Sequence, residues 1–132
     1  SYKHSVFCTK PDIIVEVALR LIPNKETSEA MRLREQSRKL RFSAGQFDHP
    51  SAGCMFKNPV GQPAGALIEQ ASLKGALQGG AAVSERHANF IINQQGDATS
   101  ADILTLAERI ACTVKSHSGI TLEREVQLIG QW

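Results

Sequence analysis

No apolar run in this 132-residue chain exceeds a few positions, so nothing in it approaches the ~20 residues an α-helix needs to cross a bilayer. A dominant charge is missing too: 15 Lys+Arg against 13 Asp+Glu leave +2, too weak a field to recruit nucleic acid. Cysteine is scarce. Cys8, Cys54 and Cys112 are odd in number, widely spaced and without a secretory leader, which argues for reduced thiols in the cytoplasm and against a disulfide scaffold. Those thiols and His4, His49, His87 and His117 show no Cys-x-x-Cys or His-x-x-x-His spacing, so no metal is expected. A glycine-rich phosphate loop is also lacking, because Gly79-Gly80 precedes a strand-like segment without the further spacing of a dinucleotide fingerprint. The chain itself is therefore expected to hold no cofactor.

With 42% apolar residues, the chain can bury one core. Asp12 to Ile22 alternates apolar and polar residues, is rich in Ile and Val, and reads as a strand stopped by Pro23-Asn24. Glu26 to Arg41 reads as a helix with a loose stripe at Ala30, Leu33 and Leu40. Its basic face of Arg32, Arg34, Arg38, Lys39 and Arg41 is either solvated or a clamp for an anion such as a nucleotide diphosphate. Ser43 to Pro50 is a polar connector and the expected domain boundary. Pro63 should open a short helix through Ala71, with strands at Ala81 to Ser84 and Asn89 to Asn93 around a turn holding Glu85, Arg86 and His87. Thr99 to His117 is the clearest helix: Thr99 and Asp102 form a capping box, and Ile103, Leu106, Ala107, Ile110 and Val114 share one face. Gly119 ends it, and Ile120 to Ile129 reads as a last strand or pair of strands. Strands and helices joined by short turns indicate an α+β fold.

The segment Gly53-Cys54-Met55-Phe56-Lys57-Asn58-Pro59 carries the most chemistry. A thiol beside glycine, which permits close approach, and Lys57, which supplies positive charge, is a setting for a reactive cysteine. A buried inert thiol is the commoner fate of this residue type. His87 reads equally as a turn histidine, Asn58 as a pre-proline cap, and Glu123 and Glu125 as a solvent-facing pair on one strand face. Cys54, His87 and an acidic residue could also form a thiol-hydrolase triad, although hydrolase motifs around the cysteine are missing.

Downstream, Pro63-Ala64-Gly65-Ala66-Leu67-Ile68-Glu69, Leu73-Lys74-Gly75, Gly79-Gly80-Ala81-Ala82-Val83-Ser84, His87-Ala88-Asn89-Phe90-Ile91-Ile92-Asn93 and Leu122-Glu123-Arg124-Glu125-Val126-Gln127-Leu128-Ile129-Gly130 follow in order. Together with Ser51-Ala52-Gly53-Cys54, this series resembles the C-terminal part of the UDP-N-acetylenolpyruvoylglucosamine reductase (MurB) family, flavoenzymes of peptidoglycan precursor synthesis. The likeness runs from Pro50 to Gly130, and Tyr2 to Ser5 is similar to the segment ending the family's flavin domain.

The resemblance implies a tail of the flavin domain at 1–42, a substrate domain at 43–132, and a missing flavin domain upstream of Ser1. It implies FAD and NADPH in the whole enzyme, UDP-N-acetylglucosamine enolpyruvate as substrate, and little or no activity for this part alone. It assigns Cys54 as proton donor, where serine is commoner in the family, and Glu125 as the carboxyl that stabilises an enolate. Tyr2, Asn58, His87 and Asn89 would contact the sugar nucleotide. The family's basic run before Pro-Ser-Ala-Gly is replaced by Ala44-Gly45-Gln46, leaving that contact to Lys39 or Arg41. A sugar-nucleotide binding module without chemistry is the alternative reading.

Overall fold

The computed structural model describes residues 5–8, 13–21, 23 and 27–130. After a short 3-10 turn at Val6–Cys8 come α1 (Thr27–Ser43), β1 (Ser51–Cys54), α2 (Ala64–Gln70), β2 (Leu77–Gln78), β3 (Ala81–Val83), β4 (Phe90–Asn93) and α3 (Ser100–Ser118). The strands form one antiparallel sheet in the order β1-β4-β3-β2. The α+β expectation is met.

Strand alternation divides the sheet's apolar residues between two faces. Ala81, Val83 and Ile91 face inward with Phe56, Leu67, Ile68, Leu106, Ile110, Val114 and Leu122, where α2 and α3 close the main core. Ala82, Phe90 and Ile92 form a second cluster, and Cys54 packs against it. The apolar runs Ala-Ala-Val and Phe-Ile-Ile thus belong to strands buried on both faces.

Three glycines shape the strands around the site. Gly79 and Gly80 make the two-residue turn between β2 and β3, with Gly79 at φ +53°. A Cβ at Gly80 would stand 2.5 Å from the Ala98 amide nitrogen, so only glycine fits against this backbone. Gly53, at φ +83°, lies where the β1–β4 register shifts between Ser51 and Cys54. A bulge re-aims the side chain that follows it, here Cys54.

Helix α3 starts at Thr99, whose hydroxyl accepts the Asp102 amide at 3.1 Å while the Asp102 carboxylate takes the Thr99 amide at 2.9 Å. It ends at Gly119, left-handed at φ 75°. Hydrogen bonds from Thr99, with a further one from the Gly80 amide, hold the Asp102 carboxyl below its ordinary value of 3.8. A depressed folded-state value means that the unfolded chain binds the proton first. The stabilisation is therefore complete above the ordinary carboxylate range and is lost as pH falls through the lower folded value. Thr99→Ala should cost about 1 kcal/mol in urea unfolding at neutral pH. Melts down an acid series should show wild type losing more stability than Asp102→Asn. Parallel pH profiles would deny the cap this role.

Three sequence expectations change. Residues 13–21 form no strand: they pair with no neighbour among the described residues, and Ile13, Val15, Val17, Leu19 and Leu21 are exposed, because a strand needs a partner edge as well as an alternating pattern. The 120–129 segment is no regular strand either. It contributes one isolated bridge, Phe56 to Arg124, flanked by the Lys57 amide donating to Glu123 O and the Glu125 amide donating to Met55 O, both at 2.9 Å. It lies as a strap across Met55–Lys57 without extending the ladder. The stripe expected on α1 is not buried, since that helix has no buried residue. Arg32 and Arg38 on its basic face pair with Glu29 and Glu35 one turn away.

Candidate active site

The cleft lies where β1 ends and the β3–β4 turn begins, and Cys54, Asn58, His87 and Asn89 all line it, with Pro63, Gly65, Glu69 and Arg86. Its volume is about 330 Å³. Residues 33 apart in the chain meet here because β1 and β4 are adjacent antiparallel strands and Cys54 pairs with Phe90.

Cys54 is half-buried, its side chain against Ala82, Phe90 and Ile92 on the outer sheet face. His87 projects from the β3–β4 turn, where the buried Ser84 hydroxyl accepts the amides of Arg86 and His87, each at 3.3 Å. The imidazole stacks on Phe90 with ring centroids 4.2 Å apart. Its Nδ1 is buried without a hydrogen-bond partner among the described residues, and a buried polar atom of this kind usually has one.

Asn58 is exposed and its Oδ1 accepts the Ala64 amide at 3.0 Å. Pro63, which occupies the N-cap of α2, makes no side-chain cap bond, so Asn58 supplies that acceptor from outside the helix. The Asn58 Nδ2 has no partner among the described residues. Asn89 is only 2% exposed, and both ends of its amide are engaged: Oδ1 accepts the Phe56 amide at 3.0 Å and Nδ2 donates to Phe56 O at 2.8 Å.

Glu125 does not line this cleft. Its backbone bond to Met55 O sets it on the strap beside the residue after Cys54, with a partly buried side chain. Lys57 forms an ion pair with Glu123 on the same strap. Tyr2 lies outside the described residues.

Arg86 is the lining residue whose part the sequence did not reveal. Its guanidinium donates to Asp48 and to Ser43 O, both at 2.9 Å, tying the β3–β4 turn to the end of α1. Its place immediately before His87 was the available signal. No group of His, Cys, Asp and Glu suited to a metal ion occurs among the described residues.

A four-stranded antiparallel sheet backed by two helices, with Cys54, Asn58 and His87 lining one cleft, defines a small α+β domain. Residues 45–129 match the family described as UDP-N-acetylenolpyruvoylglucosamine reductase, C-terminal domain. The chain belongs to this reductase family. It is 42% identical over 129 residues to the UDP-N-acetylenolpyruvoylglucosamine reductase of Chlamydia muridarum, covering 98% of this chain and 42% of that protein. Reductase 2 of Symbiobacterium thermophilum is 44% identical over 118 residues, covering 89% of this chain and 38% of that protein. The crystal structure of the Thermus caldophilus enzyme superposes with a TM-score of 0.63 at 36% identity, covering 80% of this chain and 36% of that one. The chain thus spans about two fifths of the length of the curated relatives it matches.

Proposed function

We propose that this chain is the substrate domain of an NADPH- and FAD-dependent reductase that converts UDP-N-acetylglucosamine enolpyruvate to UDP-N-acetylmuramate in the cytoplasm. The observation that carries the reading is the convergence of Cys54, Asn58 and His87 on one cleft, in a chain of this family. No helix among the described residues opens on a glycine-rich phosphate loop, since α2 follows Pro63 and α3 follows Thr99. This supports assigning the cofactor to the part of the reductase outside this chain. The exposed apolar side chains of residues 13–21, and an α1 without buried residues, support residues 1–42 as the tail of that part.

The domain's task is to bind the sugar nucleotide and complete the reduction. Hydride addition to the enolpyruvyl alkene leaves negative charge on the carbon next to the carboxylate, as an enolate that must be stabilised and then protonated at that carbon. Cys54 donates this proton from its thiol, and the thiolate recovers one from solvent. Glu125, on the strap beside Met55 and outside this cleft, is the carboxyl that the family resemblance assigns to stabilising the enolate. The Asn58 Nδ2 and the His87 imidazole hold the sugar nucleotide, with Tyr2 as a third contact.

Titration of a uridine diphosphate sugar into isotope-labelled full-length protein should shift the resonances of Asn58 and His87 before those of α3. Shifts concentrated on α3 would show that the ligand binds elsewhere.

A further inference from the structure

We infer that Asn89 is a positioning residue for Cys54, its side-chain amide standing in for the strand partner that β1 lacks beyond Cys54. The inference rests on the reductase reading for what Cys54 does. Regular pairing of β1 with β4 ends at Cys54 and Phe90. Beyond it the chain must carry Met55 and Phe56 into the core, both nearly fully buried, and their peptide groups leave water with them. Asn89 meets that requirement. Its backbone oxygen accepts the Met55 amide at 2.8 Å, and its side chain then makes a two-point bond to the amide and carbonyl of Phe56, as a peptide on a neighbouring strand would. On the other side, Met55 O and the Lys57 amide bond to Glu125 and Glu123 of the strap. Met55–Lys57 is therefore clasped between Asn89 and the strap, and Cys54 is the residue directly before the clasp.

With both ends of its amide engaged by Phe56, Asn89 acts without touching the substrate, unlike the contact expected from the sequence. Losing the Nδ2 donor would leave the Phe56 carbonyl buried and unpaired, a condition that moves backbone. A displacement of about 1 Å in a reacting group can cost about 10²-fold in rate.

The informative variant is Asn89→Asp. A neutral carboxyl has one O–H donor and a carbonyl acceptor in the shape of the amide, whereas the ionised form has acceptors only and turns one against Phe56 O. Burial raises the pKa of a carboxyl, so the variant should be neutral at the acid end of the accessible range. In full-length enzyme with saturating substrate, flavin reduction by NADPH should match wild type at every pH. The product-forming half-reaction should fall about 10²-fold below wild type at high pH and recover as pH is lowered. KM should stay within about twofold, because the residue contributes no substrate contact. Iodoacetamide alkylation of Cys54, with Cys8 and Cys112 replaced by serine, should show the same extra ionisation in the variant.

A raised KM at unchanged kcat would overturn the inference by making Asn89 a substrate contact. Wild-type pH profiles for both product formation and alkylation in Asn89→Asp would overturn it too. So would a variant unfolded across the whole pH range, since the residue would then serve the fold at large. If Cys54→Ala instead forms product at the wild-type rate, the reductase role of Cys54 fails, and the alkylation profile alone still decides whether Asn89 positions the thiol.

Discussion

Cys54→Ala in the full-length reductase should leave flavin reduction by NADPH intact and slow product formation by about 10²- to 10⁴-fold, the range that general acid catalysis contributes. The proposed role requires this separation, because the thiol acts only after hydride has reached the substrate. Cys54→Ser should keep substantial turnover, since a hydroxyl in that place offers the same proton and serine is the commoner residue in the resemblance. Rapid-mixing measurements of the two half-reactions check both variants. Equal rates for serine and alanine would return Cys54 to a packing role against Ala82, Phe90 and Ile92.

The largest stability loss is expected at Phe56. Its side chain is 1% exposed in the main core, and its backbone is bonded on both sides by the Asn89 amide. Phe56→Ala should destabilise by about 3–5 kcal/mol, through lost transfer energy and the cavity left behind. That is a large share of the roughly 5–15 kcal/mol that a domain possesses. Equilibrium urea unfolding gives the value, with Val60→Ala, at a fully exposed position, expected to be neutral. A loss below about 1 kcal/mol at Phe56 would mean that the core closes around the gap.

The site was legible in the sequence to different depths at different residues. Cys54, Asn58 and His87 stood out because a thiol, an amide and an imidazole in an ordered series of short motifs resemble a known family, and the fold brings all three to one cleft. Asn89 stood in the same series, yet its engagement with Phe56 was invisible, because a contact between residues 33 apart leaves no local pattern. Arg86 was hidden for the same reason, its partners Asp48 and Ser43 lying on a segment remote in sequence.

The elements divide along the same line. Helix α3 could be read nearly to its ends, since a capping box, a 3.6-residue apolar period and a terminal glycine are all local signals. β3 and β4 were legible as short apolar runs between turn residues, within a residue or so of their observed bounds. β1 and β2 were not anticipated, and the alternation at 12–22 and 120–129 suggested strands where 13–21 is unpaired and 120–129 only bridges. What the sequence determined by itself is what depends on neighbours within a turn or two: the caps, the helical face and the chemistry of the candidate groups. Tertiary structure alone decided which extended segments found a partner edge, and which polar side chains were engaged by backbone and which were left facing the cleft. Strand pairing and buried hydrogen bonds are made between distant residues, so no local window of the chain contains both halves of the bond.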